Sequence, residues 1–298
     1  MTFEQLSIFV AVAEREHLTQ AAAVIGLTPS AVSSAIKNLE GFYQVELFHR
    51  VGRRIELSAE GRAFLAEAKA TLSRVRAAEL MLSEMGGLTR GALSVHASQT
   101  VASYWLPPVL MRFHAAYPGI ALSLTIGNTR SVAGAVKDGL ADIGFIEGEI
   151  DEPALSIKKL TDDALLVVAG PEHPWSDGRR LSPADLAEES GWVMREPGSG
   201  TRSAFEATLR HHGVDPAALK VVLELPSNEA VMSATRSGPC AAVVSGIAAA
   251  TQLAEGLLIA SNFHLPARAF SVLRHKERHQ SKAAAMLEKF SRDAGAVG

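Results

Sequence analysis

AAAVIGLTPSAVSSAIKNLE, residues 21–40, holds two helix-forming runs separated by Gly26-Leu27-Thr28-Pro29. Glycine ends a helix because it enters the left-handed region at little steric cost. Threonine caps the next helix with its hydroxyl, and proline suits the first helical position. The chain thus leaves one helix and enters another within a few residues, so the two cross sharply over a small core. Ala31, Val32, Ala35, Ile36 and Leu39 give the new helix an apolar face. Ser30, Ser33, Ser34 and Lys37 line the rest of it. Upstream, Phe3, Leu6, Phe9, Val10 and Ala13 recur at three- and four-residue spacing, which predicts a first helix over residues 2–15. Thr19 reads as the cap of the second helix. The unit is a helix-turn-helix.

Downstream, VELFHRVGRRIELS, residues 45–58, predicts two short strands, Glu46–Phe48 and Arg54–Leu57, joined by a glycine-containing turn. Such a wing would carry Arg50, Arg53 and Arg54. With Lys37 these cations face only Glu40 and Glu46 between Thr28 and Arg54, so positive charge concentrates there although the chain's net charge is −3. A helix packed on one face leaves its other face free for the major groove, where serine hydroxyls bond phosphates or base edges and lysine contacts phosphate. The alternative is a small helical core with a merely polar surface; the arginine-tipped wing favours DNA.

Residues 58–85 predict one long helix capped by Ser58. Leu65, Ala68, Leu72, Val75, Ala78, Leu82 and Met85 form a narrow stripe like a coiled-coil seam. It either packs on its own domain or forms a dimer contact, and dimers suit DNA readers. GGLTRG, residues 86–91, ends the helix. The expected division is 1–57, a DNA-binding domain, 58–90, a linker and dimerisation helix with hinge, and 91–298, a separate domain.

A chain of 298 residues, 47% hydrophobic and 20% charged, suits about two folded domains. No apolar run reaches the roughly 18 residues of a membrane helix. The opening MTFEQLSIFVAVAEREH has no basic n-region and meets Glu14 and Glu16 early, so no export signal and no membrane association are expected, and a cytoplasmic location is. Cys240 is the single cysteine, which excludes an intramolecular disulfide and a cysteine-rich metal site.

Beyond residue 91 strands alternate with helices: ALSVHAS, VASYWLPPVLMRFHAAY, ALSLTIG, TRSVAGAVKDG, ADIGFIEG, then DDALLVVAG, GWVMRE, a helix over 201–212, KVVLELP, a helix over 228–236, and CAAVVS. That is an α/β fold large enough for two lobes. In such sheets ligands bind at strand carboxyl ends beside helix N-termini. Two junctions are rich in hydroxyls, ASQT with Ser98, Gln99 and Thr100, and REPGSGT with Ser199, Gly200 and Thr201. If the lobes face each other, both converge on one small anion, with Asn128 and Thr129 of IGNT nearby. The alternative is that these serines and threonines only cap helices. Glu147 and Glu229 either face solvent or hold Arg202 or Arg195 in place.

No G-x-S-x-G elbow, phosphate-binding loop or H-E-x-x-H motif is present, so an enzyme is not expected. Neither a cofactor nor a metal is expected: His275 and His279 have the spacing of a metal pair but lack a third ligand. His211 and His212 favour a helix end. A solute-binding protein is the competing class, since the C-terminal part has that architecture.

The N-terminal FVAVAEREHLTQAAAVIGLTPSAVSSAIKNLEGFYQVELFHRVGRRIELSAEG closely resembles the winged helix-turn-helix of LysR-type transcriptional regulators. The resemblance runs over essentially the whole chain. It implies an N-terminal all-α winged helix-turn-helix with a long linker helix and a C-terminal α/β two-lobed effector domain like periplasmic binding proteins, with lobe I at 91–161 and 267–298, lobe II at 162–266, and chain crossings near Asp162 and Pro266. Thr28, Ser30, Ala31, Ser33, Ser34 and Lys37 would face DNA, and Arg50, Arg53 and Arg54 would form the wing. The family often carries Gln-Pro around Thr28–Ser30 and Arg where Ser34 stands. LTIGNT, DIGFIEG, REPGSGTR and LELPSNEA are most similar to the branch containing regulators of sulfur assimilation and of carbon-fixation operons. The resemblance implies promoter DNA as partner, a small anionic effector such as sulfite or a related oxyanion held near Ser98, Gln99, Thr100, Asn128, Thr129, Glu147, Ser199, Gly200 and Thr201, dimerisation through the 58–85 helix, and a homotetramer.

Overall fold

The computed structural model describes residues 1–51, 54–85 and 91–295 and forms two compact units, Met1–Leu82 and Ser83–Gly298. Arg53 and the 86–90 segment lie outside the described residues.

The first unit begins with α1 (Phe3–Ala13), α2 (Leu18–Ile25) and α3 (Pro29–Tyr43). Thr2 and Gln5 exchange backbone and side-chain bonds in a capping box that starts α1. Gly26, at φ +70°, terminates α2 in the left-handed region, and the Thr28 hydroxyl accepts the Ala31 N–H at 3.2 Å to start α3, with Pro29 in the first turn. Thr19 is not a cap: it lies inside α2, which His17 starts by accepting the Gln20 N–H on its ring nitrogen. The core gathers Leu6, Phe9, Val12, Ala21, Val32, Ile36 and Leu39 with Leu47 and Leu57 from the wing side.

The wing is β1 (Phe48–Val51) paired antiparallel with β2 (Arg54–Leu57), Val51 opposite Arg54. Its first strand starts later than the expected Glu46. The Glu40 carboxylate takes the N–H groups of Leu47 and Phe48 at 2.8 and 3.1 Å, and the Glu46 carbonyl accepts the Ser58 hydroxyl at 2.7 Å, so this stretch is tied to α3 and α4 before the ladder begins. α4 (Ala59–Met85) starts where Ser58 accepts the Gly61 N–H at 2.8 Å. Its apolar stripe divides: Ala68 is buried and Leu65 and Leu72 pack on the unit's own core, whereas Ala78 is exposed and Leu82 is 69% exposed.

The second unit opens with β3 (Gly91–Ser98), a π-helical turn at Val101–Trp105, α5 (Leu106–Ala116), β4 (Ile120–Gly127), α6 (Thr129–Asp138), β5 (Ile143–Glu147) and β6 (Leu155–Asp163). The single helix expected over VASYWLPPVLMRFHAAY is therefore broken into two registers. Pro107 and Pro108 have no N–H for the carbonyls one turn back, and the turn closes instead through the Leu106 N–H to the Val101 carbonyl. The chain continues through β7 (Leu165–Ala169), α7 (Pro183–Glu188), β8 (Gly191–Arg195), α8 (Gly200–His211), β9 (Lys220–Leu225), α9 (Asn228–Arg236), β10 (Cys240–Ser245), α10 (Gly246–Ala254) and β11 (Ile259–His264), then returns with β12 (Arg268–His275) and α11 (Lys282–Gly295).

Two five-stranded mixed sheets result, ordered β4-β3-β5-β12-β6 and β11-β7-β10-β8-β9. Each is covered on both faces. Val95, Phe113, Phe145, Phe270 and Leu287 pack one side of the first sheet, and Val132, Val136, Ile146 and Leu273 the other. Trp175, Trp192 and Phe205 anchor one side of the second, and Val231, Met232 and Val244 the other. β5 is buried along its whole length, which explains its unbroken apolar reading. The chain passes between the sheets at Ala164 and again over residues 265–267, so the two lobes share one junction.

Candidate DNA interface and effector cleft

On α3, Val32, Ile36 and Leu39 are 0%, 6% and 2% exposed and face the core. The opposite face carries Ser30, Ala31, Ser34 and Lys37, all exposed, with Ser33 half-buried beside them. Thr28 is exposed too, and its hydroxyl lies 3.0 Å from that of Ser30 while capping the helix. Arg50 is exposed on β1, opposite Ile55. Arg54 occupies the start of β2, and Arg53 lies outside the described residues. Glu40 does not oppose these cations on the helix face; its carboxylate fastens the wing to α3. Sequence reading overlooked Phe42 and Tyr43, 76% and 51% exposed and stacked edge-on at the end of α3.

At the lobe junction the end of β3, the end of β5, the start of β12 and the N-termini of α8 and α9 meet. Glu147, 0% exposed, is the hub. Its two carboxylate oxygens accept the hydroxyls of Ser98 and Thr100, and its main-chain carbonyl accepts the Thr129 hydroxyl at 2.8 Å. Arg268 bonds Asp163 through Nε at 2.9 Å and Thr201 Oγ1 through Nη1 at 2.7 Å, with Glu147 at 3.8 Å. Ser245 donates to the second Asp163 oxygen at 2.6 Å. Burial pushes the Asp163 carboxyl above its ordinary pKa against the opposing pull of Arg268. From the other lobe, Asn228 donates to Thr100 Oγ1 at 3.0 Å, and the Gln99 amide oxygen accepts the Asn228 N–H at 3.0 Å. Gln99 Nε2 donates to Glu229 at 2.8 Å, which also accepts the Tyr104 hydroxyl at 2.8 Å; burial and that carboxylate push the phenol pKa up.

Gly200 lies directly against β5. A Cβ there would fall 2.1 Å from the Glu147 carbonyl oxygen and 2.7 Å from Thr129 Oγ1, so only glycine lets α8 start at this place. Ser199, the residue before it, is 0% exposed, makes no cap bond, and its hydroxyl has no partner. Thr100 likewise makes no side-chain cap bond at the π-helical turn. Asn128 does cap: it forms a capping box with Ser131 and donates to Glu196 at 3.2 Å.

Glu229 is exposed, in line with one of the two expectations, whereas Glu147 is fully buried, and neither holds Arg202 or Arg195. Glu147 and Glu229 hold hydroxyls and an amide, whereas Arg195 pairs with Glu196 at 2.9 Å and Arg202 with Glu206 and Glu224 at 2.8 and 2.5 Å. Sequence reading missed Asp163, Asn228 and Arg268 altogether. No local signal marks Asp163 and Arg268: they end β6 and start β12, and their pairing emerges only in the fold, where each is 5% exposed and charged groups are rarely buried unless paired. His275 ends β12, where its Nδ1 accepts the Glu277 N–H at 3.2 Å, and His279 lies beyond the strand, so the pair does not share a helix face. Among the described residues no group of three His, Cys, Asp or Glu side chains could hold a metal, and no helix is long and apolar enough to cross a membrane.

The family described as LysR substrate binding domain matches residues 86–296, and bacterial regulatory helix-turn-helix protein, lysR family, matches residues 3–62. The HTH-type transcriptional regulator CysL of Bacillus subtilis is 33% identical over 245 residues, 82% of this chain and 81% of that one. Full-length CbnR in complex with its target DNA has the same fold at TM-score 0.72 and 22% identity, covering 99% of this chain and 100% of that one. The regulatory domain of Synechocystis CcmR in complex with 2-PG superposes at TM-score 0.61 and 25% identity, covering 68% of this chain and 97% of that one. With a helix-turn-helix whose third helix keeps one face exposed in one unit and two α/β lobes in the other, the chain belongs to the LysR family of transcriptional regulators, and it is not an enzyme.

Proposed function

We propose that this regulator grips promoter DNA with α3 and the wing, and that a small anion held at the lobe junction changes that grip. Thr28, Ser30, Ala31, Ser33, Ser34 and Lys37 enter the major groove, and Arg50, Arg53 and Arg54 hold the backbone or minor groove. The functional divisions follow the expected borders, 1–57 for DNA binding, 58–90 for the linker and 91–298 for the effector domain.

The observation that carries the effector site is Ser199. A hydroxyl that is fully buried and unpartnered is costly unless something bonds it. It stands where the first amides of α8 lack partners within the helix and where the helix dipole favours negative charge. Ser98, Gln99, Thr100, Gly200 and Thr201 surround the same junction, with Asn128 and Thr129 on its rim and Glu147 at its base. Sulfite or a related oxyanion fits this donor set, and the CcmR regulatory domain holds a small molecule, 2-PG.

LysR regulators oligomerise, and two surfaces support a homodimer through the 58–85 helix that pairs again into a homotetramer. The distal half of the α4 stripe is unpacked at Ala78 and Leu82. One edge strand of each effector lobe exposes apolar side chains, Leu124 and Ile126 on β4 and Val221, Val222 and Leu223 on β9. A cytoplasmic location accords with this role.

Fluorescence anisotropy on the promoter of its own gene tests the reading. Binding should tighten over random DNA and weaken steeply with salt through counterion release. An oxyanion should shift the midpoint. Absence of any sequence preference at physiological salt would remove the DNA reading, and a midpoint indifferent to every oxyanion would remove the effector reading.

A further inference from the structure

We infer that Glu147 sets the specificity of the cleft by restricting its ligand to small oxyanions that still carry a proton. This rests on the reading of the lobe junction as an anion site. Three features of the junction carry it. The Glu147 side chain is fully buried, and its partners are the hydroxyls of Ser98 and Thr100, the groups that must turn toward a ligand. Glu147 and Asp163 also share a single nearby guanidinium, that of Arg268, because the other buried arginine, Arg195, is taken up by Glu196, Asn228 and Gln99. Arg268 bonds Asp163 at 2.9 Å and stands 3.8 Å from Glu147, while Ser245 occupies the other Asp163 oxygen. Glu147 is therefore the carboxylate with the weaker cation and the exchangeable partners. Finally, the start of α8 leans on Glu147: a Cβ on Gly200 would fall 2.8 Å from Glu147 Cγ, so a ligand bonded by Ser199 and the α8 amides lies beside this carboxylate.

A fully ionised oxyanion such as sulfate has acceptor oxygens and no donor. Against Glu147 it would set acceptor against acceptor and like charge against like charge where water cannot screen them. An oxyanion that keeps one proton donates that O–H to Glu147 and replaces the repulsion with a short charge-assisted hydrogen bond. Its remaining oxygens accept from Ser98, Thr100, Ser199 and the helix amides. Hydrogen phosphate and hydrogen sulfite have this chemistry. No covalent step is involved; one proton is shared between ligand and carboxylate.

Calorimetric titration of the full-length protein at neutral pH with inorganic phosphate, sulfite and sulfate tests the rule. Phosphate or sulfite should bind about a hundredfold or more tightly than sulfate, because a buried site built around one hydrogen bond strongly rejects a ligand unable to make it. Glu147→Gln, whose amide can donate, should admit sulfate and shrink that ratio below about tenfold. Wild-type protein that binds sulfate as tightly as the proton-bearing anions would overturn the rule and leave the anion site standing. An unchanged ratio in folded Glu147→Gln would do the same. Failure of the wild type to bind all three anions would overturn the cleft reading itself and the rule with it. The wild-type ratio decides the matter if the variant does not fold.

Discussion

Helix α3 and the lobe junction use the same residue types in opposite ways. On α3, Ser30 and Ser34 stand on an exposed face, and the neighbouring cation, Lys37, is exposed as well. At the junction Ser98, Thr100 and Thr201 are 0–1% exposed, and each is bonded to a buried charge, Glu147 or Arg268. A hydroxyl on the surface is ready to meet a duplex without prior cost, whereas these buried ones already belong to a network, and of Ser98, Thr100, Ser199 and Thr201 only Ser199 is left without a partner. Changes on α3 should therefore alter recognition while sparing stability, and changes at the junction should do both.

The largest expected effect is at Arg268. Arg268→Met keeps the aliphatic stem but leaves Asp163 and Glu147 buried without their cation, so urea unfolding should show a loss of about 3–5 kcal/mol. Lys37→Met should cost less than about 0.5 kcal/mol in the same assay. Equal costs would erase the contrast between the two regions. Next comes Gly200→Ala, where the added methyl meets the Glu147 carbonyl; a loss of about 1–3 kcal/mol is expected, together with a blunted effector response. A stable, fully responsive variant would show that α8 can shift away from β5.

On the DNA side, Arg50→Ala should weaken binding to all sequences and lower the slope of log affinity against log salt by about 1. Ser34→Ala should leave that slope unchanged and shift relative affinity among operator variants by no more than about tenfold. The smallest expected effect concerns acid. Burial lowers the pKa of His173 and of His96 from 6.5, and His173 Nδ1 accepts the Trp175 N–H, a bond that a protonated ring cannot accept. Both imidazoles bind protons more readily when unfolded, so their stabilisation is present above 6.5 and is lost as pH falls through the lowered folded values. Comparing urea midpoints near about pH 7.5 and about pH 5.5 should show a drop that shrinks in His173→Gln. A drop of equal size in that variant would place the acid sensitivity elsewhere.

Legibility in the sequence follows the distance over which a feature is built. The turn at Gly26, the Thr28 cap and the apolar face of α3 were readable because each depends on neighbours within a turn or two; Thr28 and Ala31 are three positions apart. The alternating strands and the hydroxyl-rich junctions were readable for the same reason. Arg268 was not, because it meets Asp163 across 105 positions and Thr100 across 168, and nothing local announces such partners. The displaced cap of α2, the later start of β1 and the π-helical turn before α5 escaped for a related cause: the His17 ring, Glu40 with Ser58, and the paired prolines respectively redirect backbone bonds that periodicity alone assigns to regular elements. The α4 stripe reads as one seam, yet its proximal half serves the local core.

Operator binding by wild type and Ser199→Ala, each titrated with sulfite and phosphate, tests most directly whether the lobe junction controls the DNA grip. The wild-type midpoint should shift with anion, and the variant should bind the same DNA with the same salt slope but without the shift. An identical shift in both proteins would show that the unpartnered hydroxyl at the start of α8 takes no part in effector recognition, and the account of the cleft would fail.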